Sequence, residues 1–451
     1  MELSRMIAVN DMSCYCGPEP QLMPFPLELL IRCLSYLDQV HDKKNARLVC
    51  KGFAAAGLPS LTSTVYFSTS LIGINPPPKV PHFFCPTREI AMHPVVSKYI
   101  TKLVCGVDQL PRDFLMLSAF RIWWATISKI QTSWPIQKIH GRYIARYQQE
   151  EWMIGNGEDR QILHTALEHF VKLKRIVFTD VIADEQNPTW ARPTWPSAVP
   201  EGDLWGLSSP YHTFAMCIRS LSELNIKLHE LTIEGGKNAI SHCVLSRASF
   251  EDYNHLLNVF ENLRKIDVNV NTHEDTYPLI FAGLGRLLTH AKLVQSLDLR
   301  CTGVRHYSRL ILSRVFEDAT WAHLKHFGLH GFKMHTDVEL VAFFDRHRAT
   351  IESVSLRHMF LHEKHLSSPD DSLCEAWKHF FDQLRKRSIT FQSLDLLQIY
   401  DCQSRERESP DLASRAGYGV EALQYLRGGG PNPLEWEWPE GRRLTYLAAD
   451  I

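Results

Sequence analysis

The chain has 451 residues, 45% apolar and 22% charged, with 49 basic and 50 acidic side chains. This apolar fraction suffices for a large core and excludes global disorder, and the length allows about three domains, or one small domain plus a repeat array. The near-zero net charge argues against a dedicated nucleic-acid or polybasic membrane binder, and no apolar run reaches the ~20 residues that span a bilayer.

Residues 1–21 carry Gly17, Pro18 and Pro20 and lack a basic patch followed by an apolar core. They read as a flexible leader with no secretory signal. The 11 cysteines are scattered and form no CxxC pair. Zinc ribbons and thioredoxin-like motifs therefore have no support, and free thiols in a reducing compartment, cytoplasm or nucleus, are expected.

A compact helical unit is expected over residues 22–67. Pro26 suits the first turn of a helix, and Glu28 favours the positive end of its dipole. Leu27, Leu30, Ile31 and Leu34 share one helical face, and Leu29, Cys33, Tyr36 and Leu37 form a second. A short helix apolar on two sides must be covered on both, and a unit this small has too little core to do so alone. Asp42 is the expected N-cap of a second helix, in which Ala46, Val49, Cys50 and Phe53 repeat the helical spacing.

Residues 68–95, with Pro76-Pro77-Pro78 and Pro81, read as a Pro-rich linker. Residues 112–175 look mainly helical, and Trp123, Trp124, Ile127 and Ile130 give an apolar face. Residues 184–210 hold five prolines and three tryptophans and read as a long loop. The tail from 403 to 451 reads as a C-terminal extension outside the main fold.

From 96 to 402 one unit recurs, apolar-x-x-apolar-x-apolar. Its copies are Leu173-Ile176-Phe178, Leu228-Leu231-Ile233, Leu263-Ile266-Val268, Val294-Leu297-Leu299, Leu324-Phe327-Leu329, Ile351-Val354-Leu356 and Phe391-Leu394-Leu396. Ile100-Leu103-Cys105 is a candidate earlier copy. The final apolar-x-apolar alternates as a half-buried strand does. One such strand with its helix cannot bury itself, whereas stacked copies can. The unit resembles leucine-rich repeats, with long and uneven steps. The Asn expected three places after the last leucine is present only as Asn271, and Gly236, Thr302, Phe332, Met359 and Ile399 occupy the other positions. The expected fold class is α/β: a small N-terminal helical unit, then an irregular leucine-rich-repeat-like solenoid of strand–helix units. A plain α/β domain with parallel strands is the competing arrangement.

Phe25-Pro26-x-Glu28-Leu29-Leu30, Leu34-x-Tyr36-Leu37 and Arg47-Leu48-Val49-Cys50-Lys51-x-Phe53 resemble an F-box, over about residues 22–60. Departures are Phe25 for the usual Leu, Cys33 for a larger aliphatic and Ala46 where Leu is common. With repeats behind it, the chain resembles F-box proteins of the leucine-rich type. That resemblance implies a non-catalytic substrate-recognition subunit of a cullin–RING (SCF-type) ubiquitin ligase, without cofactor or metal. It would bind a Skp-type adaptor, and through it a cullin, and hold a protein substrate on its repeats. Carried over, Pro26, Leu29, Leu30, Leu34, Leu37, Leu48, Val49 and Phe53 would form the adaptor interface or the small core behind it, two roles the sequence does not divide. The alternatives are a scaffold acting outside a ligase and a metal-dependent hydrolase.

In stacked strands the residues between the leucines face outward. The candidate substrate-facing residues are Asp267, Asp298, Arg300, His330, Arg357 and Asp395. Asp267 and Asp298 would lie one strand spacing of ~4.8 Å apart. Such a pair is costly unless hydrated or matched by a cation, so a bound basic segment and a wet polar surface are both open readings. His358-x3-His362-x2-His365, with Glu363, Asp370 and Asp371 nearby, is the best metal-like cluster. It needs a helix to bring His358 and His362 onto one face, and His362-Glu363-Lys364-His365 falls one residue short of HExxH. No GxSxG elbow, P-loop or dinucleotide-binding glycine pattern occurs.

Overall fold

The computed structural model describes residues 27–36, 40–46, 57, 62–67, 86–106, 112–127, 136–179, 211–234, 250–270, 277–301, 308–310, 312–316, 319–334, 336–361, 375–401 and 418–433. The chain divides into two units, Met1–Thr62 and Ser63–Ile451. In the first unit, helix α1 spans Leu27–Ser35 and α2 spans Val40–Ala46. Arg32 sits in the last turn of α1, where a cation suits the helix dipole. Helix α2 begins before Asp42, so Asp42 serves the first turn as a charge and is not its N-cap.

The second unit is built on eleven strands: β1 Thr64–Phe67, β2 Lys102–Gly106, β3 Arg175–Thr179, β4 Glu230–Glu234, β5 Lys265–Val270, β6 Ser296–Cys301, β7 Ser308–Leu310, β8 His326–His330, β9 Phe332–Met334, β10 Ser353–Leu361 and β11 Ser393–Asp401. They form one sheet, β1-β2-β3-β4-β5-β6-β8-β10, with β11 on the other edge of β10; β9 pairs with the end of β10 on the edge away from β11, and β7 pairs with β9. Every pairing is parallel. Among the described residues the helices between strands are α3 Pro86–Met92, α4 Leu117–Ile127, α5 Ile136–Asn156, α6 Glu158–His169, α7 Tyr211–Glu223, α8 Phe250–Phe260, α9 Tyr277–His290, α10 Leu312–Phe316, α11 Asp337–Arg346 and α12 Glu375–Lys386, with α13 Tyr418–Leu426 after β11. Helix α11 shows the local logic: Thr336 Oγ1 accepts the Val338 N–H at 3.1 Å, Asp337 and Glu339 fill the first turn, and Arg346 the last.

The apolar unit read from the sequence is the strand itself. Val65, Leu103, Ile176, Leu231, Ile266, Leu297, Phe327, Val354 and Leu394 pair in one continuous row across the sheet. A second row runs from Phe67 and Cys105 to Leu356 and Leu396. Both rows are buried in one core with the inner faces of the helices, among them Leu167, Leu221, Leu256, Leu287, Phe344 and Leu384. The backbone repeats too. One carbonyl ahead of each of β1–β6, β8 and β10 accepts two successive N–H groups from the next repeat. Lys174 O accepts from His229 and Glu230, His229 O from Arg264 and Lys265, and Arg264 O from Gln295 and Ser296, at 2.7–3.0 Å. The series starts at Ser63 O, with Thr101 and Lys102, and ends at Glu352 O, with Gln392 and Ser393. Ile100-Leu103-Cys105 is thus a true copy, and the sheet holds one more, at β1.

Three expected boundaries change. Residues 63–67 belong to the sheet and not to the N-terminal unit, because Val65 and Phe67 extend the buried rows and β1 pairs with β2. The segment 68–95 therefore joins two adjacent strands of one sheet, and its end is helical at Pro86–Met92, where Ala91 enters the core. The extension 403–451 is not wholly outside the fold, since Ala422, Tyr425 and Leu426 of α13 are buried in the main core. Gly419 lies so close to β11 that a Cβ would meet Leu394 O at 2.2 Å.

Gly331 and His358 have φ of +78° and +51°. Each follows the second buried residue of its strand by two places, and the left-handed residue shifts the alternation by one. After it, Phe332 and Met359 point inward and are fully buried. These are the positions where regular repeats place Asn. Here they pack apolar side chains instead.

Candidate functional site: the polar face of the sheet

On the face opposite the apolar rows, the alternate residues of β5, β6, β8, β10 and β11 form a second lattice. Its central row is Asp267, Asp298, Gly328, Ser355 and Asp395. One flanking row is Lys265, Ser296, His326, Ser353 and Ser393; the other is Asn269, Arg300, His330, Arg357 and Leu397. All six candidate substrate-facing residues lie on this face, in two adjacent rows.

The side chains are tied across strands. Arg300 forms a salt bridge with Asp267. Asp298 Oδ1 lies 3.1 Å from His326 Nε2, and His326 Nδ1 lies 3.1 Å from Ser353 Oγ. Ser393 Oγ donates to Ser353 Oγ at 2.7 Å. On the next strands Ser355 Oγ donates to Asp395 Oδ2 at 3.0 Å and lies 3.3 Å from His330 Nε2. Arg357 donates to that same Asp395 oxygen through Nε at 2.7 Å. Gly328 makes the centre possible: a Cβ there would stand 2.0 Å from Asp298 Oδ1. The Asp298 carboxylate occupies the volume that any other residue would fill.

Asp267 and Asp298 are register partners, as expected. The groups that match them are the chain's own, the Arg300 guanidinium on Asp267 and the His326 ring nitrogen on Asp298, so the pair does not call for a bound basic segment. Burial pushes the Asp267 carboxyl up despite the Arg300 guanidinium, with the Asp298 charge adding to the rise. For Asp298, burial also raises the carboxyl, but the His326 hydrogen bond and its interactions with the His326, His330 and Arg300 side chains outweigh it, and its pKa falls. His330, buried and flanked by Arg300 and Arg357, is pushed down to about 4 in spite of Asp298 and Asp395. It is neutral at neutral pH.

Sequence periodicity places His326, Gly328, Ser353 and Ser355 on this face but gives no sign that they carry its hydrogen bonds. The partners are 25 to 40 residues apart in the chain. The metal-like cluster fails its geometric condition, because His358 lies in strand β10 and not in a helix; His362, Glu363, His365, Asp370 and Asp371 lie outside the described residues. Among the described residues no group of three His, Cys, Asp or Glu could hold a metal ion, and no helix is long and apolar enough to cross a membrane.

On α1, Leu34 is buried at 1% exposure and Leu30 is half-buried, whereas Leu29 and Tyr36 are 46% and 72% exposed and Cys33 is exposed too. Pro26, Leu37, Leu48, Val49 and Phe53 lie outside the described residues.

No protein-family model matches the chain, and no curated protein matches it. Among solved structures it is similar to the leucine-rich repeat-containing protein LegL7 from Legionella pneumophila, at 10% identity and a TM-score of 0.28, over 82% of this chain and 99% of that one. At that TM-score the likeness carries no weight of its own. The registered parallel strands, buried rows and repeated carbonyl step make the second unit a leucine-rich-repeat-like α/β fold.

Proposed function

We propose that the chain is a non-catalytic receptor. Its N-terminal helices bind a Skp-type adaptor of a cullin–RING ubiquitin ligase, and its repeats hold a protein to be ubiquitinated. The observation that carries this reading is the split surface of α1. Leu29 and Cys33 lie four apart on α1 and Tyr36 in the turn just after it; all three are exposed, while Leu34 is buried. An apolar stripe left open beside a buried one is how an amphipathic helix meets a partner. The stripe lies within the F-box-like pattern and gives its residues separate roles: Leu34 holds the unit together, and Leu29 and Tyr36 meet the adaptor. The polar face of the sheet supports the second half, being a broad surface of fixed hydrogen-bonding groups on rigid strands.

The test is co-purification with a Skp-type adaptor and then with a cullin. Wild type is expected to bind one-to-one. A Leu29→Asp, Tyr36→Ala variant, altered only at exposed positions and checked for fold by circular dichroism, is expected to lose binding. Failure of the wild type to bind the adaptor would overturn the proposal. Adaptor binding without cullin recruitment would leave a scaffold acting outside a ligase.

A further inference from the structure

The polar face holds the same three residue types in two different orders. On β6, β8 and β10 the order is carboxylate, imidazole, hydroxyl: Asp298 Oδ1 to His326 Nε2 at 3.1 Å, then His326 Nδ1 to Ser353 Oγ at 3.1 Å. With a neutral imidazole, one proton arrangement satisfies both contacts. Nε2–H donates to Asp298, and the Nδ1 lone pair accepts the Ser353 proton. Ser393 donates to the same Ser353 oxygen at 2.7 Å, so its hydroxyl supports negative charge as that proton leaves. Beside it the order is imidazole, hydroxyl, carboxylate. Ser355 gives its proton directly to Asp395, which Arg357 already holds, so His330 Nε2 can only donate to the Ser355 oxygen. The first order is that of an activated nucleophile: a base within reach of the hydroxyl and a carboxylate fixing the base's tautomer. In the second the hydroxyl faces only a carboxylate already held by Arg357, and the imidazole does not accept its proton.

We infer that Ser353 is a nucleophilic serine that takes an acyl group from activated esters, with His326 as its base and Asp298 positioning His326. In the step, the Ser353 proton passes to His326 Nδ1 as Oγ bonds to the acyl carbon. The ester C–O bond then breaks, and the departing alkoxide recovers that proton as an alcohol. What remains is an O-acyl serine and a neutral imidazole. The backbones of β8, β10 and β11 are paired along the sheet, so among the described residues the strands offer no array of free N–H donors for the oxyanion. The expected chemistry is therefore one acylation per chain followed by slow release. This inference goes beyond the receptor reading and does not depend on it.

The test uses the full chain with p-nitrophenyl acetate, and a fluorophosphonate as a second electrophile. A burst of one equivalent of p-nitrophenolate is expected, with the acetyl or phosphonyl group located on Ser353 by peptide mass spectrometry. Ser353→Ala should abolish the burst, and no adduct should be found on Ser355 of the wild-type chain. Asp298→Asn should slow it about tenfold or more, because the imidazole loses its fixed tautomer, with circular dichroism confirming the fold of each variant. Absence of an adduct on Ser353 in the wild-type protein would overturn the inference whatever the variants do. So would equal labelling of Ser355, or an Asp298→Asn protein that reacts at the wild-type rate.

Discussion

At the same register position, β2 and β3 carry Val104 and Val177, and β5, β6 and β11 carry Asp267, Asp298 and Asp395. The valines are 5% and 3% exposed. They lie outside the core that the helices cover, so this end of the sheet is buried on both faces. Toward β11 the same position is polar and half-open, and its charges are consumed by their neighbours. The two ends share one backbone and differ in what their outward side chains need. A valine needs only cover, whereas a buried carboxylate needs a partner of opposite charge or a donor. One scaffold can therefore support a closed wall at one end and a polar surface at the other.

The contrast can be broken most forcefully at the closed end. Val177→Asp places a carboxylate at a position 3% exposed beside the equally buried Val104, and a loss of about 3–5 kcal/mol is expected in urea unfolding. Asp298→Asn at the open end should cost much less, because Asn keeps the shape of the side chain and can hydrogen-bond His326 through either its oxygen or its amide nitrogen. A next, smaller effect is expected for Gly328→Ala. Its methyl would displace Asp298 from His326, costing about 1–3 kcal/mol, and the double variant with Asp298→Ala should recover part of that loss. A cycle showing no coupling between the two positions would contradict the geometry.

Acid should weaken the protein through two imidazoles. His330 is held at about 4 against an ordinary 6.5. His347 is lowered by burial, its Nδ1 facing Phe343 O at 2.9 Å while Nε2 accepts the Trp321 N–H at 3.1 Å. Folding holds His330 neutral down to about 4 and disfavours the charged form of His347, whereas the unfolded chain binds their protons near 6.5, so stability should fall as pH drops below 6.5, for His330 toward 4. His330→Gln should flatten that slope in thermal melts across the same range. The smallest effect is expected at Arg357–Asp395, whose side chains are nearly half exposed. Arg357→Ala should cost about 0.2–1 kcal/mol, and less in high salt.

Period-two alternation with a leading apolar residue located seven of the sheet's strands directly and an eighth, β2, as a candidate. It missed β1, because the place three before Val65 is Thr62. It also missed α13, whose apolar positions follow a charged stretch and precede a glycine run. The outward residues were legible for the same reason as the inward ones, because a strand alternates. Their pairing was not, because every bond on the polar face joins different strands. Gly328 gave no signal at all: what it accommodates is a carboxylate thirty residues earlier in the chain.

The carbonyl that receives two N–H groups from the following repeat is a main-chain step, indifferent to side chains. The accepting residues lie as close as Lys325 and Glu352, 27 positions apart, and as far as Thr101 and Lys174, 73 apart. Each successive repeat strand, from β2 to β6 and then β8, β10 and β11, docks by the same local geometry, whatever length of chain intervenes. Such an architecture can lengthen, shorten or duplicate its connections over evolutionary time without losing alignment, and its sequence can drift far while the fold persists. For an engineer, the segments between docking steps are the natural places to insert, exchange or remove material.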